Sequence, residues 1–307
     1  MAQAAKRADA GTKLAVSRLF SIERLAVATV VLGYILILIG GVVRIEGAGM
    51  GCGDDWPICN GKVVPTFNYL TAIEYIHRVV AGMILLLTSW LTFVTWRGAH
   101  RSDSRRWLTL TALILVLALI AASSTALTGM AEGFFAIMIV VALLGRSRIP
   151  RPERRPGTPV LRAAIVAATT TFGLLLTGAY TASSGAAWAC PEWPLCGNKY
   201  VPTGWSLVDI HVLHRWLAML TVVSIVWLLV VALREAGPRA RVTWLAAAAL
   251  ALTLTEVVIG ATNIWLELAD WVRISHLAFA TLVWGSLVIT VAESLPTRLE
   301  AQAEPAL

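Results

Sequence analysis

Residues 55–66 read Asp-Trp-Pro-Ile-Cys-Asn-Gly-Lys-Val-Val-Pro-Thr, and residues 192–203 read Glu-Trp-Pro-Leu-Cys-Gly-Asn-Lys-Tyr-Val-Pro-Thr, so one unusual segment recurs 137 positions later. Without a gap, Cys59 maps to Cys196, Thr66 to Thr203, and His77-Arg78 to His214-Arg215. A cysteine loop and a following His-Arg pair held in one register mark an internal duplication. The chain must therefore fold as two like halves, each a control on the other.

The halves are built for a bilayer. Hydrophobic residues are 58% of the 307 and charged residues 14%, with a mean hydropathy of +0.75. A soluble domain of this size does not need that much apolar surface. Eight apolar stretches stand out, near 25–45, 70–96, 107–127, 130–145, 159–182, 206–233, 242–263 and 272–293. Most reach the roughly 20 residues that cross about 30 Å of hydrocarbon; the fourth is short. The expected fold is an all-α integral membrane protein of eight transmembrane helices in two pseudo-symmetric four-helix bundles. Its expected parts are a cytoplasmic N-terminal tail (1–24), an N-terminal bundle (25–145), an Arg/Pro-rich linker (146–158), a C-terminal bundle (159–293) and a tail (294–307).

Charge sets the orientation. Lys6, Arg7, Lys13, Arg18 and Arg24 precede helix 1, and arginines crowd the 2–3, 4–5 and 6–7 connections, whereas the opposite loops hold little beyond Arg44, Lys62 and Lys199. The positive-inside rule then places both termini in the cytoplasm and both cysteine loops outside a cell (inner) membrane. The first apolar run is long and ends in no small-residue cleavage site, so it reads as an uncleaved helix. The net charge of +7 is thus a topology signal. Nucleic-acid binding is excluded, because the basic residues are scattered over short loops without interleaved aromatics.

All four cysteines lie in the two outward loops, Cys52 with Cys59 and Cys190 with Cys196. An oxidising compartment and matched pairs point to one disulfide per loop. Zinc is a weaker reading, since neither loop contains a histidine, and free thiols stay open as the plain alternative. Whether such disulfides shape a lid or exchange with a redox partner is open at this level.

Four of the five histidines fall near the outer helix ends: His77, His211, His214 and His276. His100 lies in a cytoplasmic loop, as a solvated surface residue would. At 1.5 Å per residue, His77, His214 and His276 sit roughly 7–12 Å below those ends. Two imidazoles at one depth on facing helices can ligate a haem iron from both sides. A single intramembrane histidine is as easily an interhelical hydrogen bond, but ionisable groups in a bilayer are costly and here the position recurs. Glu74 lies one turn before His77 on the same face, where a carboxylate can accept a proton, hold a hydrogen bond or stand beside a reacting group. Its counterpart is His211, an asymmetry expected if one half does chemistry and the other holds a cofactor. Arg78 and Arg215 either pair with haem propionates or snorkel to the interface.

Six segments carry a resemblance to the haem A synthase family of cytochrome oxidase assembly. They are Gly-Gly-Val-Val-Arg in helix 1, Gly-Cys-Gly-Asp-Asp-Trp-Pro-Ile-Cys-Asn-Gly, Glu-Tyr-Ile-His-Arg, Cys-Pro-Glu-Trp-Pro-Leu-Cys, His-Val-Leu-His-Arg and Ser-His-Leu, within about residues 25–293. The resemblance implies a haem b held between His214 and His276 in the C-terminal bundle. It implies haem o as substrate in the N-terminal bundle, held by His77, its C8 methyl group oxidised to the formyl group of haem A by successive hydroxylations. The chain departs from the family pattern at one point: the family has a second N-terminal histidine on helix 4, and carrying His276 back by 137 gives Ile139, with Met138 beside it.

The expected function is that of an oxidoreductase, a haem A synthase serving cytochrome c oxidase biogenesis, with Glu74 acting beside the reacting edge. The implied partners are haem o and its synthase, the oxidase assembly machinery and a membrane electron acceptor, with a homo-oligomer left open. Two rivals remain: a haem-binding chaperone or degenerate paralogue that does not oxidise, supported by Ile139, and a di-haem or thiol-linked electron carrier using Cys52 and Cys59.

Overall fold

The computed structural model describes residues 22–54, 58–98, 104–121, 127–145 and 157–295. Most of the expected N-terminal tail, of the linker and of the C-terminal tail lies outside the described residues, as does His100. Among those described there are eight α-helices and no strand: α1 (Ile22–Ile45), α2 (Tyr69–Gly98), α3 (Ser104–Ala121), α4 (Leu127–Gly145), α5 (Thr158–Ser183), α6 (Leu207–Glu235), α7 (Arg241–Trp265) and α8 (Asp270–Ser294). Six of them, α1, α2, α5, α6, α7 and α8, are long and apolar enough to cross a bilayer. The other two are shorter: α3 has 18 residues and opens on Ser-Arg-Arg, and the apolar part of α4 runs only from Thr128 to Leu144.

The helices wear their bulk on the outside. Leu86, Val223, Val258 and Met219 are exposed, whereas Ala163, Ala164, Ala167, Ala232, Ala246 and Ala249 are fully buried. Lipid does not drive apolar side chains inward, so small residues that let helices approach closely take the interface instead. Buried hydroxyls turn back onto their own helices: Thr171 donates to the Ala167 carbonyl at 2.7 Å and Thr253 to that of Ala249 at 2.7 Å. These two hydroxyls are thereby satisfied within their own helices.

The chain divides into two compact units, Met1–Ala121 with Ile137–Ile149, and Ala122–Ala136 with Pro150–Leu307, so the division falls within α4. In the first unit α1 packs on α2 and α2 on α3. In the second, α5 packs on α6, α6 on α7, α7 on α8 and α8 back on α5, closing a ring of four. In that ring α6 and α8 lie on one diagonal, α5 and α7 on the other. An alanine-rich cluster with Ile225, Leu228 and Leu287 tightens the ring. The N-terminal part of α4 belongs to this unit through Glu132, whose Oε1 accepts from Thr281 Oγ1 at 2.7 Å and whose carbonyl accepts from Trp284 Nε1 at 3.0 Å.

The two helices that follow the cysteine loops are capped by side chains at their starts. Asn68 Oδ1 accepts from the Thr71 amide at 2.9 Å ahead of α2. At α6, Ser206 and Asp209 form a capping box, and Asp209 also pairs with Lys199 at 2.8 Å. These caps fix where each loop hands over to the helix bearing His77 or His214.

Candidate functional site

Both loops are built alike. Each begins with a left-handed glycine, Gly47 (φ 64°) or Gly185 (φ 80°), and a short 3₁₀ turn, Ala48–Met50 or Ala186–Trp188. Each is closed by a disulfide, Cys52–Cys59 and Cys190–Cys196, and each has an isolated bridge, Cys59 to Lys62 and Cys196 to Lys199. Among the described residues no cysteine is free. Gly51 allows the first loop to lie against α2: a Cβ there would stand 2.6 Å from the Leu70 carbonyl oxygen.

The two arginines clamp these loops through main-chain carbonyls. Arg78 donates to the carbonyls of Ile58 at 2.8 Å and Gly53 at 2.7 Å. Arg215 donates to those of Leu195 at 2.7 Å and Cys190 at 3.4 Å; Leu195 is the counterpart of Ile58, and Cys190 that of Cys52, one residue before Gly53. Their guanidinium groups thus have a use that neither the propionate nor the snorkelling expectation named. Residue types alone do not reveal it, because the acceptors are backbone carbonyls.

The asymmetric pair, Glu74 and His211, also reaches the loops. Glu74 is buried; its Oε2 accepts from the Cys52 amide at 2.7 Å and its Oε1 from Arg78 Nη2 at 2.6 Å. His211, also buried, pairs its Nδ1 with the Ala186 carbonyl at 2.9 Å. One half thus ties its loop through a carboxylate, the other through an imidazole.

Beneath the loops lie the three remaining histidines, each against a glycine of a neighbouring helix. A Cβ on Gly40 of α1 would stand 3.5 Å from His77 Nε2, one on Gly178 of α5 would stand 3.0 Å from His214 Cε1, and one on Gly260 of α7 would stand 3.2 Å from His276 Cε1. In the second unit, one diagonal of the ring therefore supplies the histidines and the other the glycines. His214 and His276 are close enough to interact electrostatically. Among the described residues Nδ1 of both rings is buried without a hydrogen bond. Two half-buried imidazoles of this kind are half the ligand set of a tetrahedral ion and the complete axial set of a haem iron. No trio of His, Cys, Asp or Glu that could hold a bare ion occurs among the described residues. The donor set and the glycine cradles fit a haem.

The sequence reading missed these glycines and Glu256. The Cys52 loop has one more residue between its cysteines than the Cys190 loop, so positions before the loops correspond at 138 rather than 137. At that spacing Gly40 matches Gly178. Glu256, near the middle of α7, carried a signal of its own, as an ionisable residue inside an apolar span. Its Oε1 lies 2.9 Å from His276 Nδ1. In α4, Met138 is fully buried and Ile139 nearly so, where the repeat offers no histidine.

A profile of the family described as cytochrome oxidase assembly protein matches residues 23–69 and 66–288. The chain is 29% identical over 304 residues to a haem A synthase of Symbiobacterium thermophilum, covering 92% of this chain and 98% of that protein. It is 33% identical over 226 residues to a haem A synthase of an Exiguobacterium species, covering 67% and 72%. A haem A synthase of Alkalihalophilus pseudofirmus is 25% identical over 293 residues, covering 87% and 98%.

Proposed function

The chain belongs to the cytochrome oxidase assembly protein family, and we propose that it is a haem A synthase, an oxidoreductase that converts the C8 methyl group of haem o to the formyl group of haem A. The observation that carries the reading is the repeated histidine-on-glycine arrangement beneath a clamped disulfide loop, in a chain whose relatives are haem A synthases over nearly their whole length. Two hydroxylations take the methyl through the alcohol to a geminal diol, which loses water. In sum, one methyl and one water give one formyl, four protons and four electrons, so a membrane electron acceptor is required.

In this reading both halves are four-helix bundles crossing a cell membrane, α3 and α4 included, with the arginine-rich connections and termini in the cytoplasm and the loops outside. His77 holds the substrate haem o, and the loop fastened by Glu74 and Arg78 covers it. Both carboxylate oxygens of Glu74 are already engaged, which favours a positioning role over direct attack on the methyl group. His214 and His276 would hold haem b through Nε2; when bound, that group supplies a one-electron redox centre. Gly178 and Gly260 let the two rings lie against the helix backbones, and the Cys190–Cys196 loop, held by Arg215, shields them.

Membranes containing this chain and a source of haem O should yield haem A on extraction. The absence of helix 4 histidine supports one competing reading, a paralogue that binds haem without oxidising it. Recovery of haem B and haem O with no haem A would establish that reading and overturn ours.

A further inference from the structure

Resting on the assignment of haem b to His214 and His276, we propose that Glu256 is a positioning residue that sets the redox potential of this haem through His276. Iron at Nε2 leaves the proton on Nδ1, so Nδ1 can only donate. The atom it meets is Glu256 Oε1, at 2.9 Å, the distance of a charge-assisted pair, with the N–H not yet aligned on the oxygen. Such contacts tighten when a site is loaded. Glu256 has no other polar partner among the described residues: Oε2 is buried and unbonded. A carboxyl group in mid-span with a single partner is costly unless that partner uses it.

The two histidines that would hold the haem thus differ. His276 faces a carboxyl group, whereas His214 Nδ1 is buried with no partner. A carboxylate accepting from the distal ring nitrogen fixes the tautomer and makes the ligating nitrogen more basic, which stabilises ferric over ferrous iron. In the first half the position 137 residues earlier is Leu119, so the device belongs to the C-terminal half alone. Consequently Glu256 keeps this haem at a low potential, ready to pass electrons onward rather than accumulate them.

The test is spectroelectrochemical titration of purified protein, parent against Glu256→Gln and Glu256→Leu. The parental low-spin spectrum should persist in both variants. The midpoint potential should rise in the order parent, Glu256→Gln, Glu256→Leu, and the g-value spread of the ferric electron paramagnetic resonance signal should widen in the same order. A low-spin haem whose potential and g values stay parental in both variants overturns the role of Glu256. A parent protein with no low-spin bis-histidine haem overturns the underlying assignment instead, so the two failures are distinct.

Discussion

If the histidine rings are seated against helix backbone, a single methyl group at the right glycine should disturb the haem while a methyl group a few residues away should not. A Cβ on Gly178 would stand 3.0 Å from His214 Cε1, whereas one on Gly173 of the same helix meets nothing within 4 Å. Carbon atoms settle about 3.5–4.0 Å apart, so the ring must retreat by roughly 0.5 Å. Overpacking of that kind costs about 1–3 kcal/mol. Replacing a mid-helix glycine by alanine returns about 0.5–1 kcal/mol. Gly178→Ala should therefore destabilise the haem-loaded protein by about 1 kcal/mol net, lowering Tm by about 2–4 °C, and Gly173→Ala should raise Tm slightly. The low-spin absorption spectrum should weaken only in Gly178→Ala. Gly260→Ala, with a 3.2 Å approach, should follow Gly178→Ala more mildly, and Gly40→Ala, at an ordinary 3.5 Å, should be tolerated. Thermal unfolding and absorption spectra of the detergent-purified variants decide the matter. Equal Tm and equal spectra for Gly178→Ala and Gly173→Ala would refute the seating of His214.

Two further outcomes follow from the loops. Glu74→Gln removes the ionic partner of Arg78 and should cost about 1–3 kcal/mol, read as faster hydrogen exchange at Cys52 and lower haem A yield with the haem b spectrum retained; parental exchange and parental yield together would take Glu74 out of the site. Each disulfide closes a short loop and should contribute roughly 2.4 kcal/mol to local stability by the chain-entropy relation; unreduced peptide maps should show Cys52 linked to Cys59 and Cys190 to Cys196, and four alkylatable thiols in untreated protein would contradict both links.

The sequence was most legible where the bilayer does the selecting. Apolar runs located the eight described helices, six of them long and apolar enough to cross a bilayer, because hydrocarbon demands long uninterrupted helices. Their ends were less legible. The third helix was expected over 107–127 and is observed at Ser104–Ala121, with 122–126 outside the described residues. Hydropathy marks what sits in lipid, whereas helix starts depend on caps such as Asn68 and the Ser206–Asp209 box. The arginine clamps were hidden for a different reason: their acceptors are main-chain carbonyls, which leave no trace in residue type.

The duplication now separates scaffold from chemistry. Both halves keep the disulfide loop, an arginine on loop carbonyls and a histidine over a glycine, and in the proposed function this shared set holds a haem beneath a lid. What they do not share is Glu74 against His211, Leu119 against Glu256 and Ile139 against His276. These differences are chemical rather than steric. The C-terminal half gains a second imidazole and a carboxyl group behind it, which in the proposed function equip a permanently ligated redox centre. The N-terminal half keeps a single histidine and fastens its loop with a carboxylate–guanidinium pair. A haem held from one side is easier to release than one held from two. In the proposed function that suits the N-terminal half, which takes in haem o and releases haem A.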